Sequence, residues 1–218
     1  MKKITLMVIC AIGLLLMSGC SGAFEPSGFV KGNLDVVYLG QISDEFLEMQ
    51  GDGSTKESLA AFYEEGMETV AGYYAEYFQI ETVTDETKAK LMAVCKELYG
   101  RAKYSVGENT ADGDGYIVPV TIEPVDCLKK VMDEDIDAYL EDFEARMDSG
   151  EFDDMTDEEY EDAWAAGIIE LLQKRIDSAG YEAAVTVEVK LVMNDEELYT
   201  ISDESMTEID THIVALPE

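Results

Sequence analysis

The fold is decided by residues 112–122, which read DGDGYIVPVTI. The Asp-Gly repeat supplies residues that turn the chain tightly, and apolar side chains then recur at every second position from Tyr116 to Ile122. Because successive side chains of a strand point to opposite faces, this alternation predicts a β-strand that buries one face. Tyr104 and Val106 alternate in the same way before the turn, so the segment predicts a β-hairpin.

A second alternating segment covers residues 185–193, and residues 198–201 return after a turn at 194–197. The two hairpins supply about four antiparallel strands. The elements follow the order helices, hairpin, helices, hairpin, helix, and a sheet with the helices on one face is the simplest arrangement that buries their apolar stripes. We therefore predict a single α+β domain over residues 29–218.

Amphipathic helices fill the rest of the chain, because apolar residues recur there with i, i+3, i+4 spacing. Ser54 with Glu57, and Thr156 with Glu159, have the capping-box spacing that marks a helix start, and Thr84 marks another. The predicted helices cover residues 29–40, 43–49, 54–77, 84–102, 124–147, 156–180 and 203–214.

The N-terminus has the three parts of a secretory signal peptide: two lysines, an apolar run over residues 4–17, and small residues before Cys20. The apolar run is shorter than the roughly 20 residues that a membrane-spanning helix needs. The ending Leu-Met-Ser-Gly-Cys resembles a bacterial lipobox, in which the cysteine becomes the first mature residue and carries a diacylglyceryl group. We therefore predict a signal peptide over residues 1–19, a lipidated cysteine with a short tether over residues 20–28, and a location on the extracytoplasmic face of the cell membrane. The alternative is ordinary cleavage that leaves Cys20 as a free thiol.

The acidic excess limits the classes of partner. The chain of 218 residues has 48 acidic and 15 basic residues, and two of the basic ones lie in the predicted signal peptide, so residues 20–218 carry a formal net charge of −35. Such a chain repels nucleic acid, whose binding depends on neutralised phosphates. It also repels anionic lipid headgroups, so we expect the folded body to stand off from the bilayer that its anchor holds.

Two cysteines, Cys95 and Cys127, remain in the body of the mature chain. Cys95 lies on the inward stripe of its predicted helix, and Cys127 opens a helix just after a strand, so both are expected inside the fold. Export permits a disulfide between them. Buried free thiols are the interpretation that we favour, and the disulfide is the alternative.

Several segments resemble elements of a known fold. Residues 29–40 (FVKGNLDVVYLG) resemble the first helix of nuclear-transport-factor-like and cystatin-like α+β domains of bacterial lipoproteins, and residues 185–203 resemble their final hairpin. Together with residues 104–108 and 120–124, they make the mature chain similar to a group of uncharacterised lipoproteins from Gram-positive gut clostridia. This resemblance implies a fold and a location, and it implies no activity and no catalytic residue.

The sequence contains none of the common hydrolase, zinc-protease or phosphate-binding motifs. His212 is the single histidine, which excludes a multi-histidine metal site. Asp210 lies two positions before it and points to another face of the predicted helix, so we expect a surface or core histidine rather than a catalytic base.

A calcium site is the other metal hypothesis. Asp133, Asp135, Asp137 and Glu144 have the spacing of the first, third, fifth and twelfth ligands of an EF-hand. An alanine occupies the sixth position, where that loop needs glycine for its sharp turn. The same residues also lie within the predicted helix over 124–147, so we predict a helix and no metal site.

These observations favour a non-catalytic binding or interaction module, held at the membrane by its diacylglyceryl anchor. Its ligand is an unidentified protein or small molecule, and we expect no cofactor. The alternative is a small enzyme or ligand carrier with a pocket between the sheet and the helices. A purely structural envelope protein is a third class.

Replacing Cys20 with alanine is expected to release the protein into the medium or to leave its signal peptide uncleaved, because two acyl chains on this residue are the predicted anchor. Cell fractionation, with the mass of the N-terminal peptide, measures both outcomes. A Cys20→Ala protein that stays membrane-bound and correctly processed would contradict the lipid anchor.

Overall fold

The sheet is built around its third strand. The structure is a computed structural model that describes residues 24–50, 54–194 and 197–217. The strands are β1 (Lys103–Val106), β2 (Thr110–Asp112), β3 (Gly115–Glu123), β4 (Val185–Met193) and β5 (Tyr199–Ile201). β3 pairs antiparallel with β1 and β2 along one side and with β4 along the other, and β5 pairs with β4. The predicted α+β class and antiparallel sheet are confirmed, and the short strand β2 adds to the four strands predicted.

Helices cover one face of this sheet and extend beyond it. In chain order they are α1 (Pro26–Leu34), α2 (Asp44–Met49), α3 (Lys56–Tyr77), α4 (Asp85–Tyr99), α5 (Cys127–Lys130), α6 (Ile136–Asp148), α7 (Asp157–Asp177) and α8 (Asp203–Ile213). Two π-helical turns, Asp35–Leu39 and Val131–Asp135, continue α1 and join α5 to α6. α1 and α8 lie against the sheet, α3 and α4 pack on the first π turn, and α7 packs on α4.

One hydrophobic core joins these layers. On the sheet side, Val118, Val120 and Ile122 alternate with half-buried residues and are themselves fully buried. On the helix side, Tyr38 and Leu98 are equally buried. Because a fully buried large apolar side chain contributes roughly 1.5–3 kcal/mol, this shared core holds the sheet and the helices as one unit.

Capping chemistry sets the helix starts. The capping box predicted for Thr156 and Glu159 at the start of α7 is confirmed. The box predicted at the start of α3 is wrong by one position, because Thr55 and Ser58 form it instead. Each of these two hydroxyls accepts a hydrogen bond from the other residue's backbone N–H. Serine here takes the place of the glutamate that usually completes a capping box. The prediction relied on a glutamate at that position, and it therefore placed the box one residue too early.

The folded chain begins earlier than predicted. α1 starts at Pro26, with Glu25 as its N-cap, so the predicted tether of residues 20–28 is too long at its C-terminal end. Proline suits the first position of a helix because its missing N–H has no partner there in any case. Phe24 already packs on Phe29, with ring centroids 5.8 Å apart. The predicted signal peptide lies outside the described residues.

The four residues with EF-hand spacing lie on helical segments, as predicted. Asp133 and Asp135 belong to the second π turn, and Asp137 and Glu144 belong to α6. Arg175 donates hydrogen bonds to Asp135, with 2.8 Å between Nη2 and Oδ1, and these bonds lower the pKa of the Asp135 carboxyl. Within the described ranges, no group of three or more histidine, cysteine or acidic side chains is placed to hold a metal ion.

Two glycines allow a matched test of helix packing. A Cβ added to Gly32 would lie 2.0 Å from the Phe46 ring, whereas nothing lies within 4 Å of a Cβ added to Gly72 on α3. Gly32→Ala is therefore expected to destabilise the protein by about 1–3 kcal/mol through overpacking. Gly72→Ala is expected to stabilise it by roughly 0.5–1 kcal/mol, because alanine is the better helix former. Urea unfolding measures both, and equal effects would contradict the close packing of α1 on α2.

Cys95 and Cys127 are buried free thiols, and burial raises the pKa of each to about 12. At pH 8 only about one in 10⁴ of either thiol is therefore ionised and reactive. An unlipidated mature chain is expected to react rapidly with a thiol reagent at Cys20 alone when folded, and at all three cysteines in denaturant. Rapid reaction of either buried thiol in the native protein would contradict this placement.

Candidate binding groove

An open groove of about 940 Å³ lies along α3 and α4. Its wall on α3 contains Glu65, Thr69, Gly72 and Glu76, which recur at i+4, i+7 and i+11 and therefore share one face of the helix. The connection between α3 and α4 and the first half of α4 form the other wall. The face of α3 with Gly72 at its middle is left bare.

The turn after α3 fixes the shape of the groove mouth. Gln79 has a φ of 57°, in the left-handed region, and the Ile80 N–H donates to the Ala75 carbonyl at 2.9 Å, which ends the helix in the usual left-handed manner. Trp164 of α7 donates from Nε1 to the Phe78 carbonyl at 2.9 Å. This hydrogen bond therefore fixes the turn to α7.

The floor of the groove is apolar. Its side chains are short or are buried beneath the surface, so they leave room for an incoming apolar group. Val83 stands at the mouth and is 40% exposed. The buried floor residues are Ala71, Ala75, Ile80 and Leu91.

The rim of the groove is acidic. Lys88 lines the groove but is paired with Glu68. The other three acidic side chains of the lining, Glu65, Glu76 and Glu81, are exposed, and in the part of the chain that the structure describes no basic side chain lies within ion-pair distance of them. The lining therefore carries an unbalanced negative charge above an apolar floor.

A second cleft of about 560 Å³ lies between α6 and α7. Its basic side chains Arg146 and Lys174 and the acidic Asp135 take part in ion pairs, whereas Asp142 and Glu170 form none with any described residue. The Tyr139 ring occupies part of the space, since a Cβ added to Gly167 would lie 2.3 Å from it. This cleft is smaller than the α3–α4 groove, and internal ion pairs use its basic groups.

Among the described residues, apolar side chains of the sheet and of the helices pack against one another. This is where the alternative prediction of an enzyme or carrier places a pocket. Val187 and Val189 of β4 are fully buried there, and so is Ile209 of α8. These three described side chains therefore belong to the hydrophobic core.

His212 and Asp210 of α8 have different surroundings. His212 lies half-buried in the last turn of α8. Asp210 accepts a hydrogen bond from Tyr38, which ties α8 to the first π turn. Burial, and then the charge of Asp210, raises the pKa of the Tyr38 hydroxyl.

The predicted site residues do not form this groove. Cys20 lies outside the described residues. Cys95 is buried on α4, and Cys127 begins α5 with its thiol donating to the Leu172 carbonyl at 3.7 Å. The glutamates and small residues of α3 are visible in the sequence at helical spacing, but the sequence does not show that this face stays uncovered.

Comparison with known proteins gives a fold neighbour. No protein-family model matches the chain, and no curated protein matches it. A solved structure of a Bacillus subtilis protein, described as a "putative lipoprotein (ycdA)", is similar with a TM-score of 0.55 and 15% identity. The match covers 88% of this chain and 56% of the Bacillus chain, so this chain spans little more than half of its neighbour's length.

At this identity the likeness shows the fold alone. It links the predicted α+β architecture to a protein from a Gram-positive bacterium. It gives no support to the nuclear-transport-factor-like or cystatin-like assignment, which stays a prediction. Within the described ranges, no helix combines the length and the apolar character needed to cross a bilayer.

Proposed function

We propose that this chain is a lipid-anchored, non-catalytic binding module on the extracytoplasmic face of the membrane. Its α3–α4 groove takes a basic amphipathic segment of a partner protein. The groove carries this proposal, because it joins an apolar floor to three unpaired carboxylates. A helix with lysines or arginines beside an apolar stripe has the complementary chemistry.

The chemistry of the lining supports binding rather than bond cleavage. The Thr69 hydroxyl donates to the Glu65 carbonyl of its own helix at 3.0 Å, and Lys88 is held by Glu68. The hydroxyl and the amine of the lining are therefore both engaged within the protein. Glutamates on the rim steer and orient a cationic partner, while the floor receives its apolar side chains.

The anchor rests on separate support. The N-terminal sequence ends its apolar run at a lipobox-like Cys20, and the fold neighbour from Bacillus subtilis is itself described as a lipoprotein. A short tether of this kind keeps the whole body at the membrane surface, where a partner on the same surface is met at high effective concentration.

A synthetic peptide of about four helical turns, with a leucine stripe flanked by lysines, tests the groove by calorimetry. Glu65→Gln with Glu76→Gln is expected to weaken its binding by about 2- to 30-fold, since each exposed charge pair is worth roughly 0.2–1 kcal/mol. Gly72→Leu is expected to weaken binding further by filling part of the groove, and it leaves the fold intact because nothing lies near this glycine.

The matched control is Glu144→Gln with Glu158→Gln, which changes the net charge equally at exposed positions outside the groove. This variant is expected to bind like the wild type, and a peptide with glutamates in place of the lysines is expected not to bind. Equal weakening by the control pair, or unchanged binding by Gly72→Leu, would contradict the groove as the site.

A further inference from the structure

The start of the described chain is clamped to the sheet by aromatic rings. Phe24 stacks on Tyr199, with centroids 4.5 Å apart and ring planes 4° from parallel. Its edge contacts with Tyr116 and Phe29 have centroid distances of 5.7 and 5.8 Å. Phe24, the first residue that the structure describes, is therefore fixed against the sheet.

This clamp lies at one end of the sheet. Tyr116 is at the start of β3, and Tyr199 pairs with Met193 at the end of β4. We call the surface formed by Phe24, Tyr116, Met193 and Tyr199 the tether end. The adjacent turn between β2 and β3 belongs to the same end, because Asp112 pairs with Gly115.

The distance to the predicted anchor is short compared with the body. Phe24 follows Cys20 by four residues, which span at most about 14 Å when fully extended. The nine residues of β3 alone are about 30 Å long. Because this link is so short, the body can touch the bilayer only with the end of the sheet at which Phe24 lies.

The surface chemistry of the tether end suits the headgroup layer. Tyr116 and Tyr199 combine an aromatic ring with a hydroxyl, which is the combination favoured at membrane interfaces. Met193 and its neighbour Val192 are each 42% exposed. Asp112, Asp114 and Glu197 are also exposed at this end, so zwitterionic headgroups are accepted and anionic ones are repelled.

We propose that the tether end faces and touches the lipid headgroups, so that the body is held in one orientation. This inference rests on the proposed lipid anchor at Cys20. It refines the expectation that the acidic body stands off from the bilayer, because the repulsion concerns anionic lipids and the aromatic end contacts neutral ones.

The NMR signals of the methionine methyl groups test this orientation without any change to the protein surface. The mature chain is coupled through Cys20 to a maleimide lipid in phosphatidylcholine nanodiscs, and some lipids carry a nitroxide on the headgroup. Met193 is compared with Met147 and Met155, which are 42% and 40% exposed and belong to the α6–α7 region. We expect relaxation enhancement at Met193 to be several-fold larger than at the other two.

Two further samples sharpen the comparison. Phe24→Ala removes the clamp and is expected to reduce the difference between the three methionines. Replacing part of the phosphatidylcholine by phosphatidylglycerol is expected to reduce the effect at Met193, and salt is expected to restore it. Uncoupled protein with the same nanodiscs corrects for random collisions.

Equal enhancement at the three methionines, or a larger one at Met147, would overturn the orientation. Concentration-dependent broadening of Met193 without lipid would assign the tether end to a second copy of the chain and would equally overturn it. Because the lipid is attached chemically, these outcomes do not depend on whether cells lipidate Cys20 or on whether the groove binds a basic peptide. Failure of the proposed function is therefore distinguishable from failure of the orientation.

Discussion

The fold depends on the register between β3 and β4. Val118 lies opposite Val189 and Val120 opposite Val187, and all four side chains are fully buried. A slip by one residue would turn every side chain of β3 to the other face. The core would then receive Pro119 and lose its valines, so the helices on the sheet would lose the surface on which they pack.

Pro119 shows how this register tolerates a residue that central strands usually exclude. A proline cannot donate a ladder hydrogen bond, and it is normally confined to edges and bulges. The Pro119 carbonyl accepts a hydrogen bond from Gly107 at 2.8 Å, on the side of β3 where β1 has ended and β2 has not begun. Since the N and C=O of one strand residue point to the same side, the missing donor falls in this gap.

The scarcity of basic residues decides where negative charge is balanced. Lys88 with Glu68, and Lys96 with Glu64, join α4 to α3, and Arg175 joins α7 to the second π turn. Such pairs add little stability where they are exposed, but they fix which carboxylates remain free. The unpaired carboxylates of α3 lie beside the apolar floor of the groove. The groove therefore combines negative charge with a concave apolar surface.

The proposed anchoring and the proposed binding involve different parts of the molecule. The aromatic clamp lies where β3 begins, whereas α4 leads into β1 at Lys103, whose partner in the sheet is Glu123 at the other end of β3. The helices that form the groove therefore join the sheet at the end away from the clamp. A partner in the groove and a bilayer at the clamp do not compete for the same residues.

The sequence by itself determined most strands and most helices, because these depend on local periodicity and capping. It also predicts the signal peptide and the lipid anchor from local composition. Alternation along residues 112–122 and 185–193 required no knowledge of distant contacts. The early start of α1 and the Thr55–Ser58 box were missed, since aromatic contacts and competing hydroxyls decided them. Only the tertiary structure decided that the Gly72 face of α3 stays bare and that Phe24 is clamped between distant strands, because coverage of a surface depends on residues far apart in the chain.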